Sequence, residues 1–421
     1  MVLQSKKAAS VLTGINKFLP LFITYDGLLD KLGASQILPY LRGIAATQGG
    51  MAVLSFEKPE RFESGHKTMA AELKMYNITW KPLRFTSGFG ALGKLWDLAR
   101  MYYWGAWLAY RVNIRVVHAR GHPTAQVGLF IKRILGTQLI FDCRGLWVDE
   151  RVDKGGWDMS RPMDRLQYHH FKKVERKLFT RADQVVVLTH KVVDEVVKLG
   201  ALPASKVTVI PCCADFDHFS LSTDLRKALA REALGIPQTA RVMGYLGSVG
   251  RMYMLDRFFR LFELAASQYE DICVLVITQD IEALQQLLKC NLPVTLHERV
   301  YVKPTSRAEI PNILPALDVL VSFIQPSYAR MAASPTKLAE CLATGIPAIC
   351  NAGVGDVAMH IKHLSAGIIV DSVSDDDLTA VVPRLDEIFA MGGQRLRHLA
   401  RPLLGLELAH ERYRYVYSKL N

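Results

Sequence analysis

At 421 residues, half of them hydrophobic and 22% charged, the chain has the composition of an ordinary globular protein and length for more than one core. A formal net charge of +12 and a pI near 9.3 favour an anionic partner such as a nucleotide, a phospholipid surface or a polyphosphate. The chain shows no zinc spacing, helix-turn-helix pattern or aromatic RNA-binding sheet motif, so nucleic acid is not the expected partner.

In chain order, the first residues, MVLQSKKAASVLTGINK, hold charges but no long apolar core, and no signal peptide is expected there. Short apolar runs at 18–25, 51–56, 116–119, 138–141, 184–189 and 207–211 read as strands buried on both faces. Asp26-Gly27 follows the first of them, and Gly33 precedes a helix-like run from Ser35 to Arg42. Glycines there either let backbone approach a ligand or simply make the turn.

The aromatic stretch at 96–110, followed by Arg111 and Arg115, is apolar nearly all round. It reads as a buried helix, with contact to an anionic membrane as the alternative. His118 lies near the end of a strand, either as a satisfied core residue or as a site residue, with Arg120 and Gly121 after it. Asp142, Arg144, Asp149 and Glu150 form a charged cluster past the next strand, where function commonly sits. A structural Asp–Arg ion pair is the competing reading. The basic run HHFKKVERK at 169–177 reads as a solvated helix face, again with membrane contact as the alternative.

Residues 212–224, CCADFDHFSLSTD, break the rhythm with polar and turn-forming residues. The alternation then restarts with strands expected at 242–246, 273–278, 295–301, 319–323, 348–351 and 367–370. Two α/β domains with parallel sheets follow, 1–215 and 216–400, with a helix-like 401–421 that crosses back to the first. Ligands of open α/β sheets bind beyond the carboxyl ends of the strands, which makes a cleft between the domains the expected site. Seven cysteines without framework spacing point to a reducing cytoplasm. No run reaches the roughly 20 apolar residues that a membrane span needs.

The block from Ser334 to Asp356 is the most specific in the chain. Ser334-Pro335-Thr336-Lys337 starts a helix, Glu340 follows about one turn along the same face, and a glycine loop with Gly353, Gly355 and Asp356 closes a short buried strand. A helix start offers free N–H groups and a positive dipole end to a phosphate, and Lys337 adds a cation there. Glu340 is placed to accept hydrogen bonds from sugar hydroxyls.

Together with YDGLLDKLGASQILPYL (25–41), VVHARG (116–121), FDCRGLWVDERVD (141–153), RADQVVVLTH (181–190), VTVIPCCADFDHF (207–219) and YLGSVGRMYML (245–255), this block resembles the family 4 glycosyltransferases. The resemblance covers nearly the whole chain. It implies the GT-B architecture, two Rossmann-like domains facing each other across a cleft. It also implies a nucleotide diphosphate sugar as donor, a glycan or lipid-linked acceptor, transfer with retention and no required metal or other cofactor. On that pattern His118 stands beside the reacting sugar, and Asp142 and Arg144 serve the acceptor hydroxyl. Asp149 and Glu150 contact the acceptor. Gly27, Gly33, Gly247, Ser248, Arg251, Ser334, Thr336, Lys337, Glu340 and Asp356 surround the donor. The chain departs from the family at Ser248, where arginine is frequent, at Tyr253, where lysine is frequent, and at Ala332, where a first glutamate is frequent. Arg251 is the expected substitute for the missing charge.

Asp375-Asp376-Asp377 has the spacing of a metal-binding Asp-x-Asp but precedes a helix-like run, so capping and first-turn acids are expected. The expected function is a retaining glycosyltransferase of cell-surface polysaccharide or glycolipid synthesis, cytoplasmic and at the inner face of the plasma membrane. A nucleotide-sugar epimerase on the same architecture and a non-catalytic transferase-like subunit are the alternatives.

Overall fold

The computed structural model describes residues 19–420 apart from Ser87. The N-terminal stretch read above for targeting lies outside the described residues. Strands β1 (Leu21–Thr24), β2 (Met51–Glu57), β3 (Ile78–Arg84), β4 (Val116–Arg120), β5 (Gln138–Asp142), β6 (Gln184–Val187) and β7 (Val207–Val209) form one parallel sheet in the order β3-β2-β1-β4-β5-β6-β7. Strands β8 (Arg241–Leu246), β9 (Ile272–Ile277), β10 (Val300–Lys303), β11 (Val319–Ser322), β12 (Ala348–Asn351) and β13 (Gly367–Val370) form a second, in the order β10-β9-β8-β11-β12-β13. Strands β1, β2, β4 and β6 are buried at every position, which is why they read as unbroken apolar runs rather than alternating ones.

Strand β3 was not among the expected strands. It is an edge strand paired to β2 alone, half-exposed, with Pro82 inside it. An edge tolerates the missing N–H of proline, and the exposed side erases the apolar signal. The strand expected at 295–301 begins only at Val300, because Pro293 opens a helical turn, Val294–Arg299.

Helices Gly90–Arg111 and His122–Leu135 cover one face of the first sheet, while helix Leu38–Gln48 and the C-terminal helix Leu406–Ser418 cover the other. The aromatic stretch, expected from its composition to be buried all round, is buried on one face only. Met101 and Leu108 point into the core, whereas Trp96, Tyr103 and Tyr110 are 60%, 62% and 76% exposed. The helix has two faces, and only one of them packs on the core.

The chain crosses back at Gly405, whose bridge to Ala214 joins the two domain ends, and Tyr413, Val416 and Tyr417 then enter the first domain's core. A second crossing runs through the turn Ala329–Ala332. Ala329 and Ala332 belong to the apolar cluster under the first sheet, although their chain segment follows β11.

Candidate active site between the two sheets

The strand order reverses between β1 and β4 in one sheet and between β8 and β11 in the other. These are the positions where an open α/β sheet leaves a crevice. A cleft of about 890 Å³ lies over them, lined by residues that follow β1, β4, β5 and β8 and by the start of helix Thr336–Thr344.

The second-domain wall carries most of the expected donor residues. Gly247, Ser248, Ser334, Thr336, Lys337 and Glu340 all line the cleft. Pro335 precedes the helix and Gly345, at φ +80°, ends it, and the helix start, Thr336 and Lys337, lines the cleft. The Lys337 ammonium is buried without a hydrogen-bond partner, 4.7 Å from the Tyr245 ring and 4.1 Å from the Tyr253 ring. Burial pulls it down to about 8. Tyr253, the departure from the family's lysine, thus forms one wall of an aromatic cage around a lysine supplied by another element. Ser334 Oγ accepts a hydrogen bond from the Cys212 N–H at 3.0 Å, which fixes the helix start against the first domain.

Glu340 is buried, and Arg307 Nη2 stands 2.7 Å from its Oε1, at ion-pair distance but off the direction of a hydrogen bond. Burial raises the Glu340 carboxyl and Arg307 opposes it.

Two donor expectations need correction. Arg251 is exposed and does not line the cleft. The additional basic residue of this wall is Arg330, buried, lining the cleft and braced against Met252. Asp356 faces the first domain instead. Its carboxylate accepts from the N–H groups of His190 at 2.6 Å and Lys191 at 3.1 Å, capping the turn after β6. An acid at that place ties the domains together.

On the first-domain wall, Gly27 and Gly33 are packing glycines that do not line the cleft. A Cβ on Gly27 would lie 2.6 Å from Glu57 Oε2, and one on Gly33 would lie 2.6 Å from the Leu28 backbone. Glu57 holds this loop by accepting from the Leu28 N–H at 2.9 Å and the Leu29 N–H at 3.1 Å.

His118 is fully buried and does not reach the cleft. Its side chain points to the face covered by the C-terminal helix, where Nδ1 pairs with Tyr417 Oη at 2.9 Å and Nε2 with Asp142 Oδ2 at 3.4 Å. Asp142 also lies behind the surface, accepting from Tyr413 Oη at 2.9 Å and pairing with Arg144 Nη1 at 3.4 Å. Burial pushes its carboxyl up, but Arg144, the His118 hydrogen bond and Arg120 together hold it well below the usual carboxylate range. So held, it is a poor proton acceptor. Its work is to position Arg144, which does line the cleft.

Asp149 is likewise structural. It accepts from Tyr168 Oη at 2.8 Å and Lys172 Nζ at 2.9 Å, joining helix Trp147–Asp153 to helix Pro162–Arg181. Glu150, its neighbour, does line the cleft, with Lys154 Nζ 2.8 Å from Oε2. The basic run at 169–177 is therefore only partly a solvated face, since Lys172 and the buried Glu175 serve this network.

Arg120 has no role in the family pattern. It ends β4, is 7% exposed, lines the cleft and stands 3.3 Å from Asp26 Oδ2. Its place at a strand's carboxyl end was the available signal. Arg330 had no such signal, because a lone arginine among alanines acquires its place only when its turn docks on the first domain.

The Asp375–Asp377 run behaves as capping chemistry. Ser374 Oγ accepts from the Asp377 N–H at 3.2 Å, and Asp375 pairs with Arg257 and Arg260. Among the described residues, no three His, Cys, Asp or Glu side chains converge as a metal site would require.

Residues 48–213 match the pattern of the "Glycosyl transferase 4-like domain" family and residues 226–387 that of "Glycosyl transferases group 1". The chain is 25% identical over 244 residues to the D-inositol 3-phosphate glycosyltransferase of Corynebacterium urealyticum, covering 54% of this chain and 55% of that protein. It is 22% identical over 303 residues to the protein of the same name from Corynebacterium jeikeium, 69% of each. The chain thus spans about half the length of the first relative.

Among solved structures, HepE of Anabaena with UDP and glucose superposes with a TM-score of 0.67 at 15% identity, covering 95% of this chain and 99% of HepE. A glycosyltransferase of Rickettsia africae gives 0.69 at 14%, covering 96% and 99%. WaaG, a glycosyltransferase involved in lipopolysaccharide biosynthesis, gives 0.67 at 15%, covering 94% and 99%. These likenesses are of fold. With both family patterns in order along the chain and two Rossmann-like sheets facing one cleft, the protein belongs to the family 4 glycosyltransferases of GT-B architecture.

Proposed function

We propose that this chain transfers a sugar from a nucleoside diphosphate sugar to an acceptor hydroxyl, with retention of configuration. The observation that carries the reading is the Lys337 ammonium, buried without a hydrogen-bond partner at a helix start inside the cleft, one turn from Glu340. A buried cation without a hydrogen-bonded counter-ion is costly, and a diphosphate would supply what it lacks.

The mechanism follows from charge. As the glycosidic bond breaks, negative charge grows on the diphosphate, and Lys337, Arg330 and the first-turn N–H groups oppose it. Glu340 would receive ribose hydroxyls once Arg307 yields. The four carboxylates along the cleft are already engaged: Asp26 with Arg120, Glu150 with Lys154, Asp280 with the Val249 N–H, and Glu340 with Arg307. That supports same-face attack, with the leaving phosphate accepting the acceptor's proton, over a covalent nucleophile. The same side chains support a reaction independent of metal, to be checked by full turnover in EDTA.

The acceptor in this reading is a glycan or lipid-linked oligosaccharide of cell-surface polysaccharide synthesis, met at the inner face of the plasma membrane. All seven cysteines are free, which suits a reducing compartment. No helix among the described residues is long and apolar enough to cross a membrane. A peripheral contact is supported by the outer face of helix Gly90–Arg111, where Leu92, Trp96, Tyr103, Trp107 and Tyr110 are exposed beside Lys94, Arg111 and Arg115.

The test is calorimetric titration with UDP, GDP, ADP and dTDP. One of them should bind, and Lys337→Ala or Glu340→Ala should weaken it by about tenfold or more. Affinity unchanged in both variants would end the donor-site reading.

A further inference from the structure

The second-domain wall, with Lys337, Arg330 and a helix start, already matches the charge of a diphosphate. The opposite wall holds two more guanidinium groups. Arg120 ends β4 opposite Asp142 in the sheet register, and Arg144 follows Asp142 by two residues, so both project from adjacent strand ends into the same cleft. Their side chains are only 6% and 11% exposed.

Their compensation is uneven. Asp142 is buried and firmly held by Tyr413, and it serves Arg144. Arg120 faces Asp26, whose side chain is 44% exposed, across 3.3 Å. Burial and the charge of Arg144 both pull the Arg120 guanidinium down. Asp142 matches one of the two charges from behind and the partly exposed Asp26 the other, so an anion in the cleft would take over from Asp26 at Arg120. Planar guanidiniums in that arrangement suit the oxygens of a carboxylate or phosphate, which they grip in pairs.

We propose that Arg120 and Arg144 form a second anion site, distinct from the diphosphate cradle, which takes a carboxylate or phosphate group carried by a sugar substrate. The site rests on the transferase reading above for its place in the reaction. Its chemistry has two sources: an acceptor bearing a phosphate, or a donor whose sugar is a uronic acid.

The experiment compares charged and neutral probes by calorimetry on the full chain. Glucose 6-phosphate is set against glucose, with and without the best-bound nucleoside diphosphate, and UDP-glucuronate is set against UDP-glucose. The expected result is a preference of about tenfold or more for the charged member of one pair, reduced to near parity in Arg120→Gln and in Arg144→Gln. Preference in the first pair identifies the acceptor as the source, and preference in the second identifies the donor. Parity in both pairs with the wild-type protein overturns the proposal, and this arm does not depend on either variant folding. A preference that survives both substitutions also overturns it. Failure of the nucleotide reading shows separately, as no binding of any nucleoside diphosphate, while the glucose 6-phosphate arm without nucleotide still decides the anion site.

Discussion

A Cβ placed on Gly247 would lie 2.8 Å from the Lys337 ammonium, and Gly247 itself adopts φ +145°. The loop after β8 and the helix that carries Lys337 therefore meet at a point with no room for a side chain. Gly247→Ala should push the lysine from its aromatic cage and strain the loop. We expect about a tenfold loss of nucleotide affinity and about 1–3 kcal/mol of lost stability, measured by titration and by urea unfolding. Unchanged affinity would show that the lysine does not depend on this contact.

Lys337 carries a pH signature. Its ammonium falls from an ordinary 10.5 to about 8 in the free protein, which corresponds to about 3 kcal/mol of unfavourable burial at neutral pH. Between those two values the unfolded chain holds the proton that the folded chain has lost, so stability should rise with pH across that window. Lys337→Met should flatten the rise and stabilise the protein at pH 7. Nucleotide affinity should move the opposite way: level below about pH 8, then falling as the free protein loses the proton the diphosphate needs. A profile level through pH 9 would contradict this role.

Asp142 and Tyr413 should separate positioning from simple stability. Asp142→Asn removes the buried countercharge of Arg144 and should cost about 3–5 kcal/mol, whereas Tyr413→Phe removes one hydrogen bond and should cost about 1–2 kcal/mol. Because the folded Asp142 carboxyl is held low, its contribution is present above the unfolded carboxylate range and is lost as acid protonates it. In Tyr413→Phe we expect sugar transfer to fall while nucleoside diphosphate affinity holds. Equal loss of both would mean only a looser fold.

The exposed aromatic face predicts a lipid preference. The protein should co-sediment with vesicles containing phosphatidylglycerol, bind far less to neutral phosphatidylcholine, and release as salt rises through a few hundred millimolar. Trp96→Ser with Trp107→Ser should reduce vesicle binding without lowering nucleotide affinity. Salt-resistant self-association, lost in the same variant, would point to a face between copies of the chain.

The sequence was most legible where one residue's neighbours in the chain are also its neighbours in space. The buried strands read directly because both faces are covered, and the Ser334–Glu340 helix start read directly because phosphate chemistry is local to one turn. Legibility failed where contact depends on tertiary docking. The family pattern puts His118 beside the reacting sugar and Asp142 at the acceptor, yet the C-terminal helix, more than 250 positions away, covers them with Tyr417 and Tyr413. The glycine loop of Asp356 is near the phosphate helix in sequence, whereas its carboxylate spans to His190. Arg330 has no local signal, since a turn buried in the other domain leaves no periodic pattern.

The turn Ala329–Ala332 has a consequence for anyone recombining these enzymes. Its alanines fill the first lobe's interior while its arginine faces the nucleotide side, so the seam between halves does not follow the linker near residue 215. A chimera that swaps the whole C-terminal half for a homologue's would import an ill-fitting plug. Grafts that retain residues 327–334 from the recipient should express as monodisperse protein where the simple half-swap aggregates.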